Sequence, residues 1–140
     1  MLRAVLDTNV LVAAFRSKTG ASFEIFRQLR IGAWTPILSN HLVHEYEEVL
    51  KRNATALSLS FGDVDEILNA VSARGEEWLL THDWVLVLLD PDDEALVQLA
   101  QESGALIIVT HNVRHLQPAT KLDIEVLKPM EFLGILRRSK

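Results

Sequence analysis

The sequence predicts an α/β fold: one domain spanning residues 1–140, with a central, mostly parallel sheet covered by helices on both faces. Three observations predict it. Short apolar runs alternate with stretches of helical spacing along the whole chain. The clearest strand candidates, "VLVLL" and "LIIVT", are continuously apolar, as strands buried on both faces are. Hydrophobic residues make up 49% of 140 residues, enough for a real core in a chain of this length.

Each element has its own signal. Leu2–Leu6 is a short β-like run. Leu11–Phe15 begins a helix that Thr8 or Asn9 is placed to cap. Ser22–Ile31 has an apolar side with Phe23, Phe26 and Leu29 and a basic side with Arg27 and Arg30. Ala33–Ser39, "AWTPILS", reads as a short strand stopped by Pro36 and followed by a turn. Ser39 caps the next helix, His41–Arg52, whose apolar face is Leu42, Val43, Tyr46, Val49 and Leu50. Asp63 starts a helix running to about Leu80. Val85–Asp90 is a buried-type strand. "PDDEALVQLAQESGA" is a helix with Pro and Asp in its first turn and Gly104 at its end. Leu106–Thr110 is a second buried-type strand, "IEVL" a short further strand, and Pro129 opens a terminal helix over Met130–Leu136. No repeat, linker or low-complexity tract interrupts this order.

Composition narrows the function. The absence of cysteine excludes disulfides, thiolate zinc sites and cysteine catalysis, and suits a cytoplasmic protein. No apolar run approaches the roughly 18–20 residues of a membrane span, and no secretory leader is expected, because the run after Arg3 ends at Asp7. A net charge of −5 argues against a passive nucleic-acid binder, but not against an enzyme that meets phosphates through bound cations. There is no Walker A loop, no G-x-G-x-x-G and no G-x-S-x-G.

In a parallel sheet the site lies beyond the C-terminal ends of the strands. Polar residues collect there. Asp7 breaks the first apolar run in "AVLDTNVLVAAF", with Thr8 and Asn9 after it. Asp90, Asp92 and Asp93 follow "VLVLL", and Asn112 follows "LIIVT". Glu45 joins them from the helix after Ser39. Gathered carboxylates repel one another unless a cation sits among them, and oxygen ligands without cysteine favour Mg²⁺ or Mn²⁺. Such a cation activates water and neutralises phosphate charge. For Asp92 a helix-capping role is the better reading. Asp93 differs, standing in the pattern D-x-A-L-x-x-x-A with Ala95, Leu96 and Ala100.

Four blocks in this order, "VLDTNVLVAA", "LSNHLVHEYEEVLKR", "DPDDEALVQLAQESGALIIVTHNVRHL" and "VLKPMEFLGIL", resemble the PIN-domain ribonucleases, including VapC-type toxins of toxin–antitoxin pairs. The resemblance implies a three-layer α/β/α PIN-like domain. It places the family's acids on Asp7, Glu45 and Asp93, with Asp90 close by. The fourth acidic position, usually in a "T-G-D" context, holds Asn112 in "VTHNVRH". An amide oxygen ligates without contributing charge, which bears on a second metal more than on the first. The implied activity is Mg²⁺- or Mn²⁺-dependent endonucleolytic cleavage of RNA. The resemblance also implies a homodimer and, in many members, an antitoxin partner. Thr8, Asn9, Ser39 and Thr110 are the supporting polar residues, and Arg16 and Arg114 the candidates for RNA-backbone contact.

Other features have plainer readings. His41 and His44, and His111 and His115, have zinc-compatible spacing but no matching carboxylate pattern, so they read as solvated or hydrogen-bonded, with His111 placed to touch a phosphate. Lys18 reads as surface charge, Arg137, Arg138 and Lys140 as a solvated tail, and Trp34, Trp78 and Trp84 as core or dimer contacts. Two alternatives to the nuclease remain: a catalytically attenuated PIN-fold module that binds RNA or protein, and a phosphomonoesterase using Asp7.

Overall fold

The computed structural model describes residues 1–81, 84 and 90–139. Among these residues five strands form one all-parallel sheet: β1 (Arg3–Leu6), β2 (Thr35–Leu38), β3 (Glu76–Glu77), β4 (Ile107–Val109) and β5 (Glu125–Leu127), in the order β3-β2-β1-β4-β5. The helices are α1 (Thr8–Arg16), α2 (Ala21–Arg30), α3 (Asn40–Arg52), α4 (Phe61–Arg74), α5 (Pro91–Ser103), α6 (Val113–Leu116) and α7 (Pro129–Arg138), with a 3-10 turn at Gln117–Leu122.

The layering follows from strand order and the right-handed rule for parallel crossovers. The connections β1-to-β2 and β2-to-β3 move one way across the sheet, which puts α1 to α4 on one face. The connections β3-to-β4 and β4-to-β5 move the other way, which puts α5 and α6 on the opposite face. Accordingly α5 packs across β1, β2 and β4, while α1, α2, α3 and α4 contact one another and α7 closes against α2. This is the expected three-layer α/β/α architecture.

The core sits on both sides of β1. Ala4, Val5, Leu6, Ile37, Leu38, Ile108 and Val109 are buried in the sheet. Val10, Leu11, Ile25 and Leu29 cover one face, and Leu96, Val97, Leu99 and Ala100 face in from α5. Trp34 is wholly buried, donates its indole N–H to the Ile25 carbonyl at 3.0 Å and meets Phe132 edge-on at 5.1 Å. It is a core residue.

Several sequence expectations are corrected. Pro36 does not stop the second strand: it lies within β2, in register with Ala4, and the strand runs on to Leu38. The first helix begins at Thr8 with Asp7 in the cap position, and neither Thr8 nor Asn9 caps it. The helix expected from Asp63 to Leu80 starts earlier, where Ser60 and Asp63 form a reciprocal capping box, and ends at Arg74. It stops because Gly75 crosses β2 closely: a Cβ there would stand 2.3 Å from Leu38 Cδ1. The chain then adds β3 to the sheet edge, beside Ile37 and Leu38. Of the expected strand Val85–Asp90, residues 85–89 lie outside the described residues, and Asp90 is the cap of α5. Among the described residues no helix is long and apolar enough to cross a membrane.

Candidate active site

The direction of the crossovers reverses between β1 and β4, and at such a switch point adjacent strand ends leave a crevice for a ligand. Asp7 ends β1 and Thr110 ends β4, side by side, with the Asp7 N–H donating to the Val109 carbonyl at 2.9 Å.

Thr110 is wholly buried and its hydroxyl is fully used. It donates to Asp7 Oδ2 at 2.8 Å and accepts the Asn112 N–H at 2.9 Å and the Asn9 side-chain amide at 3.5 Å. Asn9 Oδ1 in turn accepts the His111 N–H at 3.3 Å. Asn9 is therefore a strap between the two strand-end turns rather than a helix cap. The His111 ring lies 3.4 Å from the Ser22 hydroxyl, and partial burial pushes its imidazole pKa down.

Helix α3 brings Glu45. Ser39, which is buried, accepts the Leu42 N–H at 3.1 Å and so sets the direction in which α3 leaves β2. One residue past Glu45, the buried Tyr46 hydroxyl donates to the carbonyl of Leu6, which pins α3 to the end of β1. Thr8 donates its hydroxyl to Glu45 Oε2 at 2.5 Å. The sequence places Tyr46 only on the apolar face of its helix. Its signal was an aromatic carrying a hydroxyl, on an apolar helix face, directly after a candidate acid.

Helix α5 brings Asp93. The residue that caps α5 is Asp90, not Asp92: Asp90 Oδ1 accepts the N–H groups of Asp92 at 2.9 Å and Asp93 at 3.4 Å. Asp92 is exposed and its Oδ1 lies 3.6 Å from His41 Nε2.

The electrostatics tie the three acids together. Burial pushes the Asp7 carboxyl up to about 6, the charges of Asp93 and Glu45 add to the rise, and the Thr110 hydroxyl and the Asn9 backbone N–H oppose it. Asp93 is also raised, first by burial, then by Asp90, Asp92 and Glu45, with His115 opposing. Burial, then Asp7 and Glu45, hold the Tyr46 phenol well above its ordinary value. His115, from α6, is thus a neighbour of Asp93 that the spacing of the histidines alone did not reveal.

Among the described residues, no three His, Asp or Glu side chains converge closely enough to ligate one ion as they stand. The donor chemistry nevertheless fits a hard divalent cation. The mutually sensed groups are carboxylates, and their repulsion in a partly buried setting is what a bound cation would relieve.

Of the remaining candidates, Asn112 is exposed at the start of α6, next to the Thr110 hydroxyl, and Arg114 is exposed on α6. Arg16 is the last residue of α1. Helix α1 runs back from the strand end, and nine residues carry Arg16 about 13 Å along its axis. Lys18 lies beyond it, lining a groove with Phe15, Phe23 and Phe26.

Fold and site together define a parallel α/β protein with a partly buried acidic site at its sheet switch point. The PIN-domain family model matches residues 3–114 of the 140, so the chain belongs to the PIN-domain family. PIN domains are generally nucleases and generally use divalent metal ions. No curated protein and no solved structure matches the chain.

Proposed function

We propose that this PIN domain is a divalent-metal-dependent endoribonuclease, with residues 1–140 forming one domain. The observation that carries the reading is Asp7. A carboxylate buried at the end of the central strand, bonded to Thr110 and lifted to about 6 by burial with Asp93 and Glu45 adding to the rise, is costly to the fold unless a cation offsets its charge. Asp7, Glu45 and Asp93 are the proposed ligands of Mg²⁺ or Mn²⁺, with Asp90 and the Asn112 amide supporting. When bound, the ion supplies an activated water and neutralises phosphate charge. Thr110 holds Asp7 from the β4 side, Thr8 holds Glu45, and Tyr46 and Ser39 fix the helix that carries Glu45. A cytoplasmic toxin that is a homodimer and pairs with an antitoxin is the biological setting we assign to this activity.

The test is cleavage of a mixed-sequence RNA with Mg²⁺, with Mn²⁺ and with EDTA, beside Asp7→Asn. Metal-dependent cleavage lost in the variant supports the reading. Equal cleavage by both proteins overturns it. A second reading, a catalytically attenuated binding module, is favoured by Asn112 at the fourth acidic position. Asn112→Asp separates the two: a large gain in cleavage marks the native site as attenuated, and no gain marks the amide as sufficient.

A further inference from the structure

A groove of about 480 Å³ opens beside the acidic site, lined among others by His111, Asn112, Arg114, His115, Gln117 and Lys128. Its composition is unusual for this chain. The protein carries a net charge of −5, yet among the described residues no carboxylate lines the groove. Its two full cations, Arg114 and Lys128, are both exposed and come from different elements, α6 and the residue before α7. Neither side chain forms an ion pair among the described residues, whereas Arg3, Arg27, Lys51 and Arg52 all do. Glu131, three residues past Lys128, accepts the Lys128 backbone N–H through Oε1 at 2.9 Å.

The groove is also continuous with the site. Asn112 lines it and is bonded through its N–H to the Thr110 hydroxyl that holds Asp7. His115 lines it and offsets the charge environment of Asp93. A strand whose phosphodiester lies at the carboxylates therefore meets this groove next. Arginine forks onto two phosphate oxygens and lysine supplies a point charge. The amides of Asn112 and Gln117 suit ribose hydroxyls or base edges.

We infer that this groove is a subsite for single-stranded RNA, in which Arg114 and Lys128 bind the backbone phosphates flanking the one to be cleaved. The inference rests on the ribonuclease reading for its substrate class, but its test requires no cleavage. Binding of a labelled single-stranded oligoribonucleotide is followed by fluorescence anisotropy in EDTA across a salt series. Each phosphate contact contributes about 0.7 to the slope of log K against log salt for single strands, so losing two contacts in Arg114→Gln/Lys128→Gln lowers the slope by about 1.4. Arg138→Gln, an exposed cation at the end of α7, serves as the control and keeps the wild-type slope. An unchanged slope in the double variant, or an equal fall per charge in the control, overturns the subsite. Absence of binding by the wild-type chain overturns it too. Groove-dependent binding without metal-dependent cleavage upholds the subsite and sinks the nuclease. Cleavage without groove dependence does the reverse.

Discussion

A carboxyl group that is 9% exposed and holds its proton to about pH 6 makes folding depend on pH in a defined direction. In the unfolded chain Asp7 titrates near its ordinary 3.8. Between these values the folded chain binds the proton and the unfolded chain does not. The stability this group contributes is fully present below pH 3.8 and is lost as pH rises through 6. The total is about 3 kcal/mol, at about 1.4 kcal/mol per pH unit. Urea unfolding in EDTA checks this: Asp7→Asn is expected to be the more stable protein above pH 6, with the difference shrinking toward pH 4. A wild-type chain as stable as the variant at pH 7.5 would show that Asp7 is not held in its buried setting. Thr110 acts on the same proton from the other side. Thr110→Val keeps the shape but removes one donor to Asp7 and leaves the Asn112 N–H without its acceptor. The expected cost is about 1–3 kcal/mol, together with an upward shift of the Asp7 titration in a carboxyl NMR experiment.

At the scale of elements, the same residue can serve structure and chemistry, and Asp90 is the case to separate. It caps α5 with Oδ1, and it stands close enough to Asp93 to raise that carboxyl. Asp90→Ala removes both roles, at a cost of about 1 kcal/mol in stability for the cap. Asp90→Asn retains the capping oxygen and removes only the charge. Thermal unfolding at neutral pH is expected to show Asp90→Asn near wild type and Asp90→Ala clearly lower. If cleavage falls in both variants alike, the charge matters; if only Asp90→Ala is impaired, the cap does. Legibility varied among elements for physical reasons. The LIIVT run and the Ser39 cap are local signals, and both appear as β4 and the start of α3. Strand β3 is two glutamates, which no apolar pattern reveals. It exists because Glu76 pairs with Ile37 along the edge of β2 and because Arg3 reaches across to its carboxylate. The end of α4 was equally hidden, since it depends on the space Leu38 leaves at Gly75.

Over the whole molecule, strand order converts distant sequence blocks into one site. Asp7 and Thr110 are 103 positions apart and 2.8 Å from contact partner to partner. Asp7 and Asp93 were legible because strand ends and helix starts are where polar residues break apolar runs, whereas Glu45, inside α3, has no such local signal. The network that holds them was not, because a threonine that donates to one group and accepts from two looks in sequence like any strand-end hydroxyl. On the metal-dependent reading, the same assembly sets how a cation binds. Because Asp7 carries a proton below about pH 6, a divalent ion has to displace it, and apparent affinity should fall about tenfold per pH unit in that range. Metal that binds only the folded chain also stabilises it, by about 2.7 kcal/mol at a hundred times its Kd. Thermal unfolding with Mn²⁺ and with Mg²⁺ at pH 5 and pH 7.5 is the check. The wild-type chain is expected to gain stability from the ion at pH 7.5, to gain little at pH 5, and to return to its metal-free curve on addition of EDTA. Asp7→Asn should show no such gain at either pH. A gain that survives in the variant, or that is equal at the two pH values, would place the ion away from Asp7.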